Sequence, residues 1–530
     1  MKKRYFIRLF ILLIVYTAVM TLSGCRKDVG NYDYKPVDSL GIQNIADTYR
    51  YSVGTKASIT PGLTFMTGKN INDNDYSFEW LAYLGTTVGK KVIHNGKNLD
   101  VVLPLSIGKY NGYYVVTERA TGISWQKSFK LEVYGSFLPG GWFVLNDIDG
   151  KARLDFYQED RNNWNTFPVI YRDFTGMIKD INTGSSMELE GKPVSLSAFD
   201  NRDAINNSAD YRLYMNTDKE TKWVNITTGF TWDKIRNSFA NETVSGEPDH
   251  VSAIYPGTTG GAYAYRDHQL YLYHYLYSLY GTPINRIAGS MGTFPISEFV
   301  AAPYNNFMHA VFFDTQGKRF LRSNYSSSAA TVLNVSGQGL NLAAVDKDLV
   351  WMGSTRVFNG QVAAILKDKN QRYYLARIGF PYPTAVSTSI AVSVNSFEDI
   401  TTRLTGIANA DKFMLDQQYG YLFYVSGNKL YQYDMDNKIV KVAKDYGNRK
   451  ISLLKGNTLT VYTASSIPGF LARLGCPGFG IIVGSNDEQN PNTSGSVDFY
   501  QAPALMGNLS FYTNSFTGLG KVVDIQYSEL

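Results

Sequence analysis

Cysteine is the scarcest reactive side chain in this 530-residue sequence, present only at Cys25 and Cys476. Cys25 closes the tetrapeptide Leu22-Ser23-Gly24-Cys25. This follows a short apolar run, Leu9 to Met20, which itself follows Lys2, Lys3, Arg4 and Arg8. A positive start, an apolar stretch too short to span a bilayer and small residues before a cleavage point form a secretory signal. Its thiol is a nucleophile able to take a covalent substituent. Cys476, within Leu474-Gly475-Cys476-Pro477-Gly478, has no base at a spacing that would activate it and reads as a buried small hydrophobe.

The other candidates for chemistry are weaker. The five histidines are His94, His250, His268, His274 and His309. His268 and His274 are expected on opposite arms of one hairpin, but no cysteine joins them in a zinc-ligand spacing, so no metal is assigned. Asp147-Ile148-Asp149-Gly150 and Asn70-Ile71-Asn72-Asp73-Asn74-Asp75 cluster oxygen ligands of the kind calcium takes. Neither has the spacing of an EF-hand, and Asp-Gly is a preferred hairpin turn, so both are read as turns. A carboxylate pair for glycoside hydrolysis could be assembled across a cleft, but no pair stands out in the linear sequence. There is no nucleophile elbow, phosphate loop or dinucleotide fingerprint, so no catalytic residue and no cofactor is assigned. Tyr271, Tyr273, Tyr275 and Tyr277 alternate and would share one strand face, either in inter-sheet packing or as an aromatic surface for sugars or peptides. Trp164, Trp232 and Trp351 leave the same choice open.

The signal, with its cysteine straight after the small residues, resembles that of bacterial lipoproteins, in which the cysteine is lipidated and becomes the first residue of the mature chain. The resemblance implies that residues 1–24 are removed and that Cys25 carries the lipid. No second apolar run is long enough for a transmembrane helix, which leaves the lipid as the membrane attachment. Loss of Lys2, Lys3, Arg4 and Arg8 takes the formal charge from +5 to +1. No Lys/Arg run remains as a footprint for nucleic acid, which is set aside as a partner. With Cys25 lipidated no internal disulfide is possible, and an exported chain of this length must fold on core burial alone.

The elements that would position any site are strands. Aromatic residues make up 14% of the chain, 39 of them tyrosine, and helical patterns are scarce. Residues 25–37 are polar and contain Gly and Pro, as a tether does. From 38 to 135 short alternating runs (Tyr51-Ser52-Val53, Tyr76 to Trp80, Tyr110 to Val116, Phe129 to Val133) predict an immunoglobulin-like β-sandwich, with Trp80 in its core and Tyr114 as a tyrosine corner. From 140 to 530 a hairpin recurs roughly every 50–70 residues. Its first arms are Trp142-Phe143-Val144-Leu145, Tyr211 to Tyr214, Ala262 to Tyr265, Ala310 to Phe313, Ala363 to Leu366, Tyr421 to Tyr424 and Gly480 to Val483. That repeat predicts a β-propeller of about seven blades, and Ser396 to Arg403 is the one stretch read as a short helical turn.

The order of a lipidation signal, Gly30-Asn31-Tyr32-Asp33-Tyr34, a cysteine-free sandwich and Gly140-Gly141-Trp142-Phe143-Val144-Leu145 resembles the PKD-like family lipoproteins of Bacteroidetes. The resemblance implies an outer-membrane, surface-facing, non-enzymatic accessory to a SusC-like TonB-dependent transporter and its SusD-like lipoprotein, helping to capture a peptide or a glycan. It carries no catalytic residues over. Arg26 and Lys27 depart from the acidic residues that accompany surface export after the lipidated cysteine. The competing readings are a surface glycoside hydrolase or lyase using the propeller cleft, and a glycan-binding adhesin.

Overall fold

The computed structural model describes residues 38–528 apart from 53, 85–87, 106–107, 135–139, 161–165, 202–209, 228, 245–247, 257–261, 275–277, 291, 302–308, 324–326, 356, 382–389 and 457–479. Cys25, Cys476, Trp164, Tyr275, Tyr277 and the tether lie outside the described residues.

Between Leu40 and Tyr134 the alternating runs make a five-stranded sheet in the order Thr48–Ser52, Ser124–Tyr134, Gly108–Glu118, Tyr76–Leu84, Val88–Asn95. Two short pairs accompany it, Leu40–Gln43 with Gly62–Phe65 and Lys56–Ile59 with Leu99–Val102. Thr48–Ser52 runs parallel to Ser124–Tyr134, and the other pairs are antiparallel. Strict alternation of burial along Gly108–Glu118 sends Tyr110, Tyr114 and Val116 into one core with Ala57, Leu99, Phe129 and the fully buried Trp80. Trp80 donates its Nε1–H to the Gly96 carbonyl at 3.0 Å. Tyr114 is not a tyrosine corner. It sits mid-strand opposite Trp80 and Lys127, and its hydroxyl meets no hydrogen-bond partner, so it serves as packing surface 4.5 Å from the Trp80 ring. At Asn70–Asp75 the oxygen-rich run is a turn, with Asn72 accepting from the Asn74 N–H at 3.3 Å.

From Gly141 onward successive antiparallel meanders follow. Sheet A contains Gly141–Ile148, Lys151–Gln158 and Val169–Tyr171. Sheet B contains Pro193–Asp200, Tyr211–Thr217 and Thr221–Asn225. Sheet C contains Ala253–Pro256, Ala262–Arg266, Gln269–His274 and Leu279–Pro283. Sheet D contains Val311–Asp314, Arg319–Arg322 and Thr331–Val332. Sheet E contains Asp348–Thr355, Gln361–Lys367, Tyr373–Gly379 and Ser393–Asp399. Sheet F contains Ala410–Leu415, Leu422–Ser426, Lys429–Asp434 and Ile439–Asp445. Sheet G contains Lys450–Lys455, Ile481–Asn486, Gly495–Gln501 and Ser510–Phe511, with Phe516–Leu519 also on Gly495–Gln501. The last strand, Lys521–Ser528, returns to pair with Gly141–Ile148 of sheet A. The fold is all-β and propeller-like.

Each hairpin read from the sequence is paired in its sheet. Turn chemistry explains three of them. Asp149 and Gly150 both have positive φ, as do Asp267 and His268, which is the geometry of a type I′ hairpin turn. Gly427, at φ 65°, supplies the left-handed first position of another. His268 is thus a turn residue, not on the arm opposite His274. Ser396 to Arg403 is not helical either: Ser393–Asp399 is the outer strand of sheet E, and its Ser-Phe-Glu-Asp composition is that of a half-exposed edge.

The central strands are buried on both faces, and alternate side chains pack on opposite neighbours. Phe143 and Leu145 of sheet A meet Leu196, Leu213 and Met215 of sheet B. Phe199 and Tyr214 of B meet Ala262, Ala264 and Tyr273 of C. Tyr263, Leu270 and Leu272 of C meet Phe312 and Leu321 of D. Phe313 and Phe320 of D meet Val362, Ala364 and Leu366 of E. Ala363 and Ile365 of E meet Leu415, Leu422 and Tyr424 of F. Phe423 and Val425 of F meet Ile451, Ile481 and Val483 of G. Trp142 and Val144 of A meet Ile482, Val497 and Phe499 of G with Val522 and Ile525 of the closing strand, and the cycle is complete.

Polar side chains lace the inner strands to one another. Ser195 and Ser197 donate to the carbonyls of Ser252 and Ile254, both at 2.7 Å, and Thr355 donates to the Asp416 carbonyl at 3.0 Å. The N-terminal part abuts the connection between sheets A and B, where Gly54 packs on Lys179 and Val102 on Gly184.

Closure depends on close backbone approach at Gly495, where a Cβ would collide with the Gly520 carbonyl just before the closing strand. Gly495→Ala is expected to lower stability by roughly 2–3 kcal/mol through overpacking. Gly292→Ala, in open surroundings, should stay within about 0.5 kcal/mol. Calorimetric unfolding of both variants checks this, and equal midpoints would remove Gly495 from the closing contact.

Candidate functional site

Sheet A is built from both ends of the ring. Gly141, at φ 141°, lies where any Cβ would collide with the Tyr157 carbonyl, which gives the Gly140-Gly141-Trp142 motif its reason. It delivers Trp142 to a site between Phe499 and Tyr527, with ring centroids 5.0 Å from each. Tyr157 stacks on Phe516 at 3.8 Å. The fully buried Asp155 accepts from Arg153 at 2.8 Å, Arg172 at 2.9 Å, the Asn146 amide at 3.2 Å and the Asp173 N–H at 3.0 Å. Arg172 then donates to the Thr517 carbonyl at 2.9 Å, which carries this network across the seam. On the closing strand Asp524 accepts from Lys455 of sheet G at 2.8 Å and from the Leu196 N–H of sheet B at 2.7 Å, so one carboxylate holds three sheets. Such charge-assisted bonds are the strong ones.

A polar cavity of about 310 Å³ opens at the turn end of this seam. It is lined by Asp147, Asp149 and Gly150 from the first hairpin of sheet A, Lys521 from the closing strand, and Lys450, Asn486, Glu488, Pro491 and Asn492 from sheet G. Asp147 Oδ1 accepts the Gly150 N–H at 2.8 Å, the Asx turn expected of Asp-Ile-Asp-Gly. Asp149 and Asn492 bond reciprocally: the Asn492 amide donates to Asp149 Oδ1 at 2.7 Å, and the Asp149 N–H donates to Asn492 Oδ1 at 3.3 Å. Glu488 pairs with Lys450 at 2.8 Å and holds that ammonium's pKa above its usual value. Asn486 is 2% exposed, and its Oδ1 meets no donor.

A second charged cluster lies between sheets B and C. The Arg212 guanidinium stacks 4.0 Å over Trp223 and donates to Asp210 at 2.8 Å and to Glu242. Tyr214 donates to the same Glu242 oxygen at 3.2 Å, while Glu242 Oε2 and the Tyr280 hydroxyl have no partner. Glu242 is 4% exposed, and burial pushes its carboxyl up to about 7 against the opposing pull of Arg212.

The other residues singled out from the sequence are structural. His250 Nδ1 lies 2.8 Å from Asp249, and His309 Nδ1 lies 3.0 Å from the Ser323 carbonyl inside the core. Burial pushes His274 down, and His94 sits opposite Trp80 in its sheet. Among the described residues no group of three His, Cys, Asp or Glu could hold a metal. Tyr271, Tyr273 and Trp232 are core side chains, and Trp351 packs 5.6 Å from Phe413, so these are not surface aromatics. No described helix is long and apolar enough to cross a membrane. Sequence reading missed Lys450, Asn486, Glu488 and Lys521. The one local signal was Asp147-Ile148-Asp149-Gly150, read as a turn, because its cavity partners lie hundreds of residues away.

The sequence profile of the PKD-like family matches residues 25–193, which spans the N-terminal sheets and the first three strands of sheet A. No curated protein matches the chain. Among solved structures it is similar to a quinonprotein alcohol dehydrogenase-like protein from Bacteroides thetaiotaomicron, with 10% identity over 91% of this chain and 97% of that one and a TM-score of 0.37. The extracellular domain of a putative one component system from the same organism matches at 12% identity over 91% and 70% of the two chains, with a TM-score of 0.36. AztD from Citrobacter koseri matches at 9% identity over 85% and 96%, with a TM-score of 0.32.

The Glu242 cluster sets a pH dependence. A carboxyl whose folded pKa is about 7, above its unfolded value near 4.5, stabilises the fold most below the unfolded value. That contribution is lost as pH rises through 7. The loss is on the order of 3 kcal/mol. The unfolding midpoint should therefore fall between pH 5 and pH 8, and Glu242→Gln should remove most of that fall. The same slope in both proteins would show that Glu242 is already ionised at pH 5.

Proposed function

We propose that this chain is a lipid-anchored outer-membrane protein, facing the cell exterior, that serves as a non-enzymatic binding subunit of a SusCD-type importer of peptides or glycans. In this reading Cys25 carries the lipid, residues 38–135 form a PKD-like spacer or docking module, and sheets A to G are the blades of a closed seven-bladed propeller. The observation that carries the binding role is the polar cavity at the closing seam, assembled from both ends of the ring on its turn-bearing end. Binding residues concentrate on loops held by a rigid scaffold, and this ring is such a scaffold. Within the cavity the Asp147, Asp149 and Glu488 carboxylates are each tied to a neighbour, which suits recognition better than acid–base work. The PKD-like match and the lipidation signal support the anchored, exported setting.

Two measurements test the reading. Mild-detergent pull-down from native outer membranes, through a tag linked after Leu530, should recover a TonB-dependent transporter and its lid at near-stoichiometric yield. Recovery of the lipoprotein alone, while transporter and lid stay together, would refute the importer role. Separately, Cys25→Ala should abolish incorporation of labelled fatty acid and move the protein out of the membrane pellet, and unchanged sedimentation would refute the lipid anchor.

A further inference from the structure

The seam cavity has an uneven inventory of charge. Five of its lining residues are charged: Asp147, Asp149, Glu488, Lys450 and Lys521. Lys450 and Glu488 neutralise one another. Asp147 and Asp149 each commit one carboxylate oxygen to the protein and have no protein donor on the other. Lys521 makes no ion pair with any described residue, although it stands directly opposite Asp147 in the antiparallel pair. Two carboxylates and one ammonium are thus left facing one cavity. Opposed residues in an antiparallel pair stand ~5 Å apart, a separation that opposite charges on one small molecule can bridge. The floor is short of donors, since the Asn486 Oδ1 is buried without one.

The chemistry narrows the occupant. No aromatic ring lines the cavity to stack on a sugar face. A phosphate or sulfate would meet a surplus of carboxylate. No acidic triad is placed to hold a metal among the described residues. The volume, about 310 Å³, lies at the small end of ligand pockets. We propose that the seam cavity binds a small zwitterion, a free amino acid or dipeptide, with its ammonium on the Asp147 and Asp149 carboxylates and its carboxylate on Lys521. This deepens the reading of the chain as a binding subunit by naming the ligand class of that site. Electrostatic complementarity of both signs gives such a site its selectivity. Because the lining comes from residues 147–150 on one side of the seam and 450–521 on the other, the bound zwitterion also clamps the ring closed. Ligand that binds only the native state raises the unfolding midpoint.

The test is calorimetric titration of the full lipoprotein in detergent with dialanine, with N-acetylated and C-amidated dialanine, and with glucose. Dialanine is expected to bind saturably and to raise the unfolding midpoint. The capped peptide and glucose should bind at least 10-fold more weakly. Lys521→Met, which keeps the aliphatic stem, and Asp147→Asn, whose amide oxygen still caps Gly150, should each weaken dialanine at least 10-fold while leaving the ligand-free midpoint unchanged. Should one variant fail to fold, the other decides. Equal binding of capped and free dialanine, absence of saturable heat at millimolar concentration, or binding indifferent to both substitutions would overturn the proposal. Recovery of the transporter in the pull-down does not depend on this result, so the two readings fail separately.

Discussion

A strand buried on both faces must have a packed neighbour on each side, and this constraint governs everything after Gly140. The central strands of sheets A, E and G are apolar on both faces, so no sheet in the series can be an end sheet without exposing a row of Phe, Leu, Ile and Val. Exposing one such side chain forfeits about 1.5–3 kcal/mol, and an open array would expose many on its two terminal faces. A cycle of sheets satisfies the constraint, and the chain reaches it by delaying the inner strand of sheet A until its last residues, Lys521–Ser528. The first sheet therefore stays incomplete until the last strand arrives. The stretch matched by the PKD-like profile ends at 193, before that strand, and so covers a sheet whose completion comes from the other end of the chain.

Apolar burial closes the ring but does not fix which strand meets which, and the buried polar groups supply that register. Asp524 is placed so that only one alignment of the closing strand serves Lys455 on one side and the Leu196 N–H on the other. Asp155 is saturated by two arginines, an amide and a backbone N–H, which offsets the cost of burying its charge. Glu242 shows the opposite balance. One oxygen takes Arg212 and Tyr214, the other takes nothing, and the carboxyl is pushed toward its neutral form. The seam is thus held by a satisfied network, while the B–C interface carries one that changes charge near neutral pH.

Legibility in the sequence followed the range of the interactions involved. The hairpins were readable because alternation and two-residue turns such as Asp149-Gly150 and Gly427-Asn428 act within ten residues. Trp80 was readable as core because its run alternates. The misreadings have equally local causes. Tyr114 has the neighbours of a corner tyrosine, but strand Gly108–Glu118 runs straight through that position. Ser396–Arg403 lacks apolar alternation because it is an outer edge, and an edge strand looks like a loop when half its residues are wet. His268 was displaced by one turn position, since a type I′ turn here takes His where Gly or Asn is usual. The cavity was not readable at all. Asp149 meets Asn492 only because a ring has closed between them, and no pattern within a short window encodes that meeting.

The position of the cavity gives the two halves of this account a common cause. Every other sheet interface joins neighbours in the sequence, whose association is helped by a short connection. The G–A interface brings the last strand back to the first sheet, so its association carries the largest loop-closure entropy in the ring. It is correspondingly reinforced, with Trp142 between two aromatic rings, Tyr157 stacked on Phe516, and Arg172 and Asp149 bonded across the seam. Those polar crossings keep the rim of the seam wet and charged where a purely apolar joint would have filled it, and the cavity lies among them. The unpaired Lys521 and the half-used carboxylates of Asp147 and Asp149 are thus a by-product of how the ring is held shut, and a by-product of that kind is available for recognition. A ligand that satisfied them would add its own bonds at the joint that carries the greatest entropic load. Binding and closure would then share one free energy.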